Sequence, residues 1–442
     1  MFISNEISHP IKAQRLAYLV SMSSREPGLS SHFITVCVDS VAGVGMLAEA
    51  VAEVRNSCPT YGVKPAPVGV LLEVNVGQNR GGIASVLEDS LSPVIDAVLS
   101  SNPDVGPPVL QFLGVHAYHG GAQHIRSLEE RSQVISDVCA KATKAQSILR
   151  QRIHQYYAAR DATPPPAREG DADASFRHRA DIVTGAGSGT FAFEAKGGVY
   201  NEIQPGSYLV MDRDYLENVT HVVESASSLG ATDVPVPLFE EALFVLTTVC
   251  NKSFEDGENG ARRVVLDAGH KTSAIDSGMP ALCPGQLVQL LQKTEEGRAI
   301  LASSPTAPAA LSCVLLHCGN GGDDHGVLSA NSPIVATVIP RDAAILATPW
   351  ISQEDGGKGL YVVEPTMAKR IATAVVDALS FGDRVLLIPG HCDPTFNLHE
   401  YVIICKSTDG GRGGSTVASS DDLNKGVVVH DVALVNARGC QE

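Results

Sequence analysis

The chain has 442 residues, of which 44% are hydrophobic and 19% charged, and a formal net charge of −16. This length accommodates more than one domain with its own core, and the composition is that of an ordinary globular protein. The acidic balance excludes nucleic acid and anionic membrane surfaces, which require basic patches, and no apolar run reaches the roughly 18–20 residues of a membrane-spanning helix.

The chain opens inside a β-like run, Phe2-Ile3-Ser4, so an upstream segment is expected and targeting is not legible. Ten cysteines without C-x-x-C spacing point to buried thiols in a reducing, cytoplasmic setting. Up to about residue 215, β-like runs at Ile34–Val38, Val68–Val76, Leu110–Tyr118, Asp181–Gly185 and Ser207–Asp212 alternate with helical patterns. The helical stretches are Pro10–Val20, Val41–Val54, Val86–Leu99 and Ile125–Tyr157, the last beginning with the capping pattern Ser127-Leu128-Glu129-Glu130. Continuous apolar strands between helices predict a parallel βα sheet, either barrel or doubly wound, with its site at the C-terminal strand ends. Asp161–Ser175 and Ser303–Ala310, rich in Pro and Ala, are expected as surface insertions. Beyond about residue 235, strands separated by turns predict a second, mainly β domain.

Several strand ends carry chemistry. Arg80, in VGQNRGG, offers a guanidinium to a phenolate or carboxylate. HAYHGGAQH (His116–His124) brings Tyr118, able to stack on a flat ring, and His124, able to move a proton near neutral pH. TGAGSGT (Thr184–Thr190) has glycines that let backbone amides approach an anion, and the hydroxyls of Thr184, Ser188 and Thr190. Its spacing departs from both the P-loop and G-x-G-x-x-G, so a small phosphate monoester suits it better than a nucleotide. Each of these has a plainer reading as a turn, a salt bridge or a structural histidine, which is preferred for His116 and His119. In Pro389–Leu398 (PGHCDPTFNL), His391 and Asp393 follow an apolar run; on an extended strand they would share a face and offer one nitrogen and one oxygen to a divalent cation.

Taken together, ISNEI, CVDS, LLEVNVGQNRGG, GVHAYHGGAQHI, VTGAGSGTF, YNEIQPGSYLVMD, DAGHK, DDHG, PGHCDPTFNLHEY and a closing ARG resemble the D-threonine aldolase / D-serine dehydratase-like family of pyridoxal-phosphate enzymes. The resemblance implies an alanine racemase-like (β/α)8-type barrel over residues 1–218, incomplete at its N-terminus, and a β domain with a metal site over 236–442. It implies pyridoxal 5'-phosphate as cofactor. Thr184, Gly187, Ser188, Gly189, Thr190 and Tyr208 would serve the phosphate, Arg80 the phenolic oxygen, and Tyr118 the ring. His124 would be the acid/base, and His391 and Asp393 would hold manganese, zinc or a similar divalent metal. The implied reaction is cleavage of a small D-3-hydroxy amino acid by a homodimer, with D-serine or 3-hydroxyaspartate dehydration as the alternative. The family's dehydratases carry H-x-C where this chain has His391-Cys392-Asp393. Asn75 stands where the family has Asp, and Ser188 where it has Thr. The H-x-K motif that anchors the cofactor is absent from the sequence, so a truncated or non-catalytic cofactor-binding homologue is the further alternative.

Overall fold

The structure is a computed structural model and describes residues 1–23, 34–57, 67–102, 108–160, 177–219, 239–253, 262–336, 348–353, 361–407 and 427–435. Asp161–Ser175 and the closing ARG lie outside the described residues. The chain forms two compact units, Met1–Gln123 with Ser132–Pro205, and His124–Arg131 with Gly206–Glu442.

In the first unit, β1 (Phe2–Glu6), β2 (Thr35–Val38), β3 (Val68–Glu73), β4 (Leu110–His116), β5 (Ile182–Gly185) and β6 (Glu202–Ile203) form a parallel sheet whose spatial order is the chain order. Between them run α1 (Pro10–Ser23), α2 (Val41–Ser57), α3 (Glu88–Ser100) and α4 (Leu128–Ala158). This is the expected βα architecture. Every residue of β3 and β4 is buried, as continuous Val/Leu runs require of strands covered on both faces. Gly114 of β4 is needed there, because a Cβ at that position would collide with the Ile182 backbone of β5. Parallel pairing sets Glu6 opposite Cys37 and Glu73 opposite His116, all near the C-terminal strand ends.

The predicted strand Ser207–Asp212 is instead a 3-10 turn, Ser207–Leu209, followed by Met211 at φ 54°. The Met211 N–H donates to Ser207 O at 2.7 Å, a reversal that a strand cannot contain. Asp212 then caps α6 (Arg213–Leu216), its side chain accepting the Tyr215 N–H.

The second unit is built on an eight-stranded sheet in which β7 (Val245–Ser253) and β16 (Arg384–Ile388) are central antiparallel neighbours. It is more helical than the turn-rich sequence predicts. Pro284–Lys293 buries Leu287, Leu290 and Leu291, and Pro365–Ala378 buries Ile371, Val375 and Val376. Both helices share one core with Val249, Leu266, Leu316 and Leu387 of the sheet. The expected surface insertion Ser303–Ala310 also belongs to this core. Ala307 and Ala310 are fully buried, and the Trp350 indole donates to Ser303 Oγ at 3.3 Å. Small residues there fit a tight helix contact, a role that composition alone does not distinguish from low complexity.

Candidate active site

In the first unit, TGAGSGT turns out of β5 with Ala186 in the left-handed region at φ 65°. That conformation is costly for a residue with a Cβ and persists where surrounding contacts enforce it. The enforcing residue is Gln123, which is buried. Its Oε1 accepts the Gly189 N–H at 2.9 Å, and its Nε2 donates to Thr190 Oγ1 at 2.8 Å. A Cβ at Gly187 would stand 2.6 Å from Gln123 Oε1, so glycine is what lets the amide lie against the loop. Thr190 Oγ1 in turn donates to Glu194 at 2.8 Å, and Thr184 Oγ1 accepts from Gln204 Nε2 at 2.8 Å. The Thr190 hydroxyl, expected to serve an anion, is therefore spent inside the protein. Burial raises the Glu194 carboxyl to about 7 against the opposing Thr190 hydrogen bond.

The VGQNR turn is organised by Asn75. Its Oδ1 accepts the Gly77 and Asn79 N–H groups at 3.0 and 3.1 Å, while its Nδ2 donates to Asn79 Oδ1 at 2.8 Å. The amide donor explains why Asn serves this turn, since a carboxylate has no proton to give Asn79. The turn presents Arg80 with its guanidinium 5.4 Å from the centroid of the Tyr118 ring, and Tyr118 stacks on His116 at 6.5 Å.

In the second unit, His124 Nδ1 is hydrogen-bonded to Asp214 Oδ2, and Asp214 Oδ1 is paired with Arg126. Burial pushes the Asp214 carboxyl up, but the His124 hydrogen bond and the Arg126 charge outweigh it and hold the group below its ordinary range. With Nδ1 committed to a carboxylate, Nε2 is the nitrogen left for an external proton, and the side chain is 44% exposed. Tyr208 packs against Phe239, ring centroids 5.2 Å apart.

His391 and Asp393 lie on a strand-to-helix junction rather than on the extended strand expected. His391 is the N-cap, with φ −145° and ψ 126°, of the helix Cys392–Leu398, and Asp393 lies in its first turn. The two side chains still converge, His391 Nε2 lying 3.8 Å from Asp393 Oδ2. Behind them, Asp276 Oδ2 is 2.6 Å from His391 Nδ1. A carboxylate on one imidazole nitrogen orients the other toward a cation. The Asp393 hydrogen bond, together with Asp276 and against burial, raises His391 to about 9. Asp212 accepts the Cys392 N–H, and Arg213 donates its N–H to Pro389 O at 2.9 Å, which fixes the junction from below. Between the motifs DDHG and DAGHK, Asp324 pairs with Lys271 at 3.0 Å. Asp276, Asp212, Asp214 and Gln123 were not singled out from sequence.

Residues 242–405 match the family described as the putative serine dehydratase domain. Over 438 residues the chain is 27% identical to a D-threonine aldolase of an Arthrobacter species, covering 99% of this chain and 73% of that protein. The chain is related to the D-threonine aldolases. It is also 24% identical over 403 residues to a 3-hydroxy-D-aspartate aldolase of Paracoccus denitrificans (strain Pd 1222), covering 91% of this chain and 69% of the relative. The crystal structure of D-threonine aldolase from Filomicrobium marinum superposes with a TM-score of 0.56 at 24% identity, covering 100% of this chain and 77% of that one. It shares the fold, a parallel βα sheet followed by an antiparallel, sheet-rich region.

Pyridoxal phosphate is the cofactor that the sequence resemblance implies. The glycine-lined TGAGSGT turn, braced by Gln123 through Gly189 and Thr190, suits a phosphate monoester, and the Arg80–Tyr118 pair suits a flat phenolic ring. Among the described residues, no helix is long and apolar enough to cross a membrane.

Proposed function

We propose that this protein is a metal-dependent, pyridoxal-phosphate lyase that cleaves D-3-hydroxy amino acids, converting D-threonine to glycine and acetaldehyde, although this sequence lacks the lysine of the H-x-K motif. Its kinship with carbon–carbon lyases supports this reading, and the convergence of His391 Nε2 and Asp393 Oδ2 at 3.8 Å carries it. The substrate is a small molecule, and the working form is a homodimer.

In this reading, backbone N–H groups of Gly187 and Ser188, with Thr184 and Tyr208, hold the cofactor phosphate, while the Gly189 N–H, committed to Gln123, fixes the turn. Arg80 faces the phenolic oxygen and Tyr118 covers the ring. When bound, the cofactor supplies an electron sink for charge developing at the substrate Cα. His391 and Asp393 would hold a manganese- or zinc-class cation, which would lower the pKa of a bound β-hydroxyl. Asp276 keeps the His391 ring turned so that Nε2 points outward. His124 accepts the hydroxyl proton at Nε2, and Asp214 stabilises the imidazolium that results.

The rival reading is dehydration, and the placement of Cys392 argues against it. Its side chain is buried and its N–H is tied to Asp212, so the exposed oxygen of Asp393 is the better second ligand. Incubation of the purified protein with D-threonine, pyridoxal phosphate and manganese distinguishes the outcomes. Acetaldehyde is expected. Ammonia without aldehyde would assign a dehydratase, and bound cofactor with neither product would assign a non-catalytic binding protein.

A further inference from the structure

The C-terminal ends of four neighbouring strands in the first unit bring together groups that the proposed reaction does not use. β1 contributes Glu6, β2 Cys37, β3 Glu73 and β4 His116. One donor atom each from Cys37, Glu73 and His116 lies within 4.8 Å of the others, and all three residues are buried. Glu6 stands beside them. A Cβ on Gly81 would lie 3.3 Å from Glu73 Oε1 and 3.9 Å from Glu6 Oε1, so the two carboxylates share one glycine wall.

His116 is 1% exposed, and neither of its ring nitrogens has a hydrogen-bond partner. Nδ1 has only the 3.5 Å ion pair to Glu73 Oε2, and a buried imidazole with no hydrogen bond is costly and calls for an explanation. Its ring is already fixed in place, edge-on to Phe2 at 5.4 Å and stacked on Tyr118. Glu6 Oε1 and Glu73 Oε2 are likewise buried without a hydrogen bond.

Charge leads to the same conclusion. Glu6, Asp39 and Glu73 crowd one thiol and one imidazole, and among the described residues the only ion pair in the cluster is His116 Nδ1 to Glu73 Oε2, at 3.5 Å. A metal ion would complete the buried donors that lack a hydrogen bond.

We propose that Cys37, Glu73 and His116, with Glu6 as the additional oxygen donor, form a binding site for a divalent cation of the zinc class, built wholly from the first unit. The mixture of sulfur, nitrogen and oxygen donors selects zinc or cobalt over magnesium or calcium, which take oxygen alone.

Cobalt titration of the full-length chain tests the site, because a thiolate ligand gives cobalt(II) an intense near-ultraviolet charge-transfer band. The expected result is a band that saturates at one equivalent, survives in His391→Ala and disappears in Cys37→Ser. His116→Gln leaves the thiol in place and should weaken cobalt binding at least tenfold. Zinc should raise the Tm of His391→Ala, in which the second-unit donors are already broken, but not of the double variant His391→Ala, Cys37→Ser. Absence of the band in the native chain, its persistence in Cys37→Ser, its loss in His391→Ala, or unchanged affinity in His116→Gln would each overturn the assignment.

Discussion

Asp212 and Cys392 are 180 residues apart in the chain, yet Asp212 Oδ2 accepts the Cys392 N–H at 2.9 Å. The other oxygen of the same carboxylate accepts the Tyr215 N–H at 3.0 Å. One fully buried side chain thus caps a short helix and fixes the residue between His391 and Asp393. Asp212→Asn keeps the shape but offers one acceptor in place of two. It is expected to cost about 1–2 kcal/mol of stability, read as a lower Tm, and to weaken manganese binding in calorimetry. Unchanged manganese affinity would separate the capping role from the junction.

Asp276 acts on the cation only through His391. Removing such an orienting carboxylate typically weakens metal binding by about 10–100-fold. Asp276→Ala should show a loss in that range and Asp276→Asn a smaller one, because the amide oxygen can still accept the Nδ1 proton. Equal losses in both variants would contradict the orienting role.

His124 and Asp214 form the proton-handling pair. His124→Gln should lower kcat on D-threonine by about 10²–10⁴-fold while leaving manganese affinity unchanged. Asp214→Asn should shift the pH profile of kcat as well as its height, since it removes the charge that stabilises the imidazolium. A flat pH response would relocate the base.

Gln123 is expected to set cofactor affinity without touching the reacting atoms. Gln123→Met removes both the acceptor for Gly189 and the donor to Thr190 while preserving length. The loss of one such hydrogen bond, about 1.4 kcal/mol, corresponds to roughly tenfold weaker pyridoxal phosphate binding, measured by absorbance titration. Wild-type affinity in this variant would remove Gln123 from the loop's support.

Stability should fall in acid through His178. The ring is buried, its Nε2 3.0 Å from the Asn102 amide, and burial with the nearby Arg160 lowers its pKa from 6.5 to about 4. The unfolded chain therefore takes up a proton as pH drops below about 6.5, while the native state resists until about 4. The stability contributed by the neutral ring is fully present above 6.5 and is lost between those values. The loss amounts to about 3 kcal/mol. Urea unfolding from pH 7 to 4 should show this decline, and His178→Phe should flatten it.

The parallel half of the fold was legible because its strands are long apolar runs and its helices keep a helical period. The turn at Ser207–Leu209 was not, since a short apolar stretch has no period to distinguish strand from turn, and Met211 adopts a left-handed backbone that its side chain does not advertise. In the second unit, Leu287, Leu290 and Leu291 do carry a helical spacing, but flanking turn residues masked it. The convergent donors His391 and Asp393 could be read from two adjacent letters. Asp276 could not, lying 115 residues away from the imidazole it holds, and Asp212 is more distant still. Only chain folding supplies such neighbours.

Gly390 has a Cα so close to the Gly278 carbonyl that any Cβ would collide with it. Gly278, in turn, sits at φ +101° with no room for a Cβ beside the Arg213 guanidinium. The segment bearing Asp276 and the segment bearing His391 therefore meet as bare backbone. Attempts to retune the preferred cation should vary residues 276 and 393 and leave both glycines untouched, because enlarging either would wedge the two peptides apart instead of altering the donors.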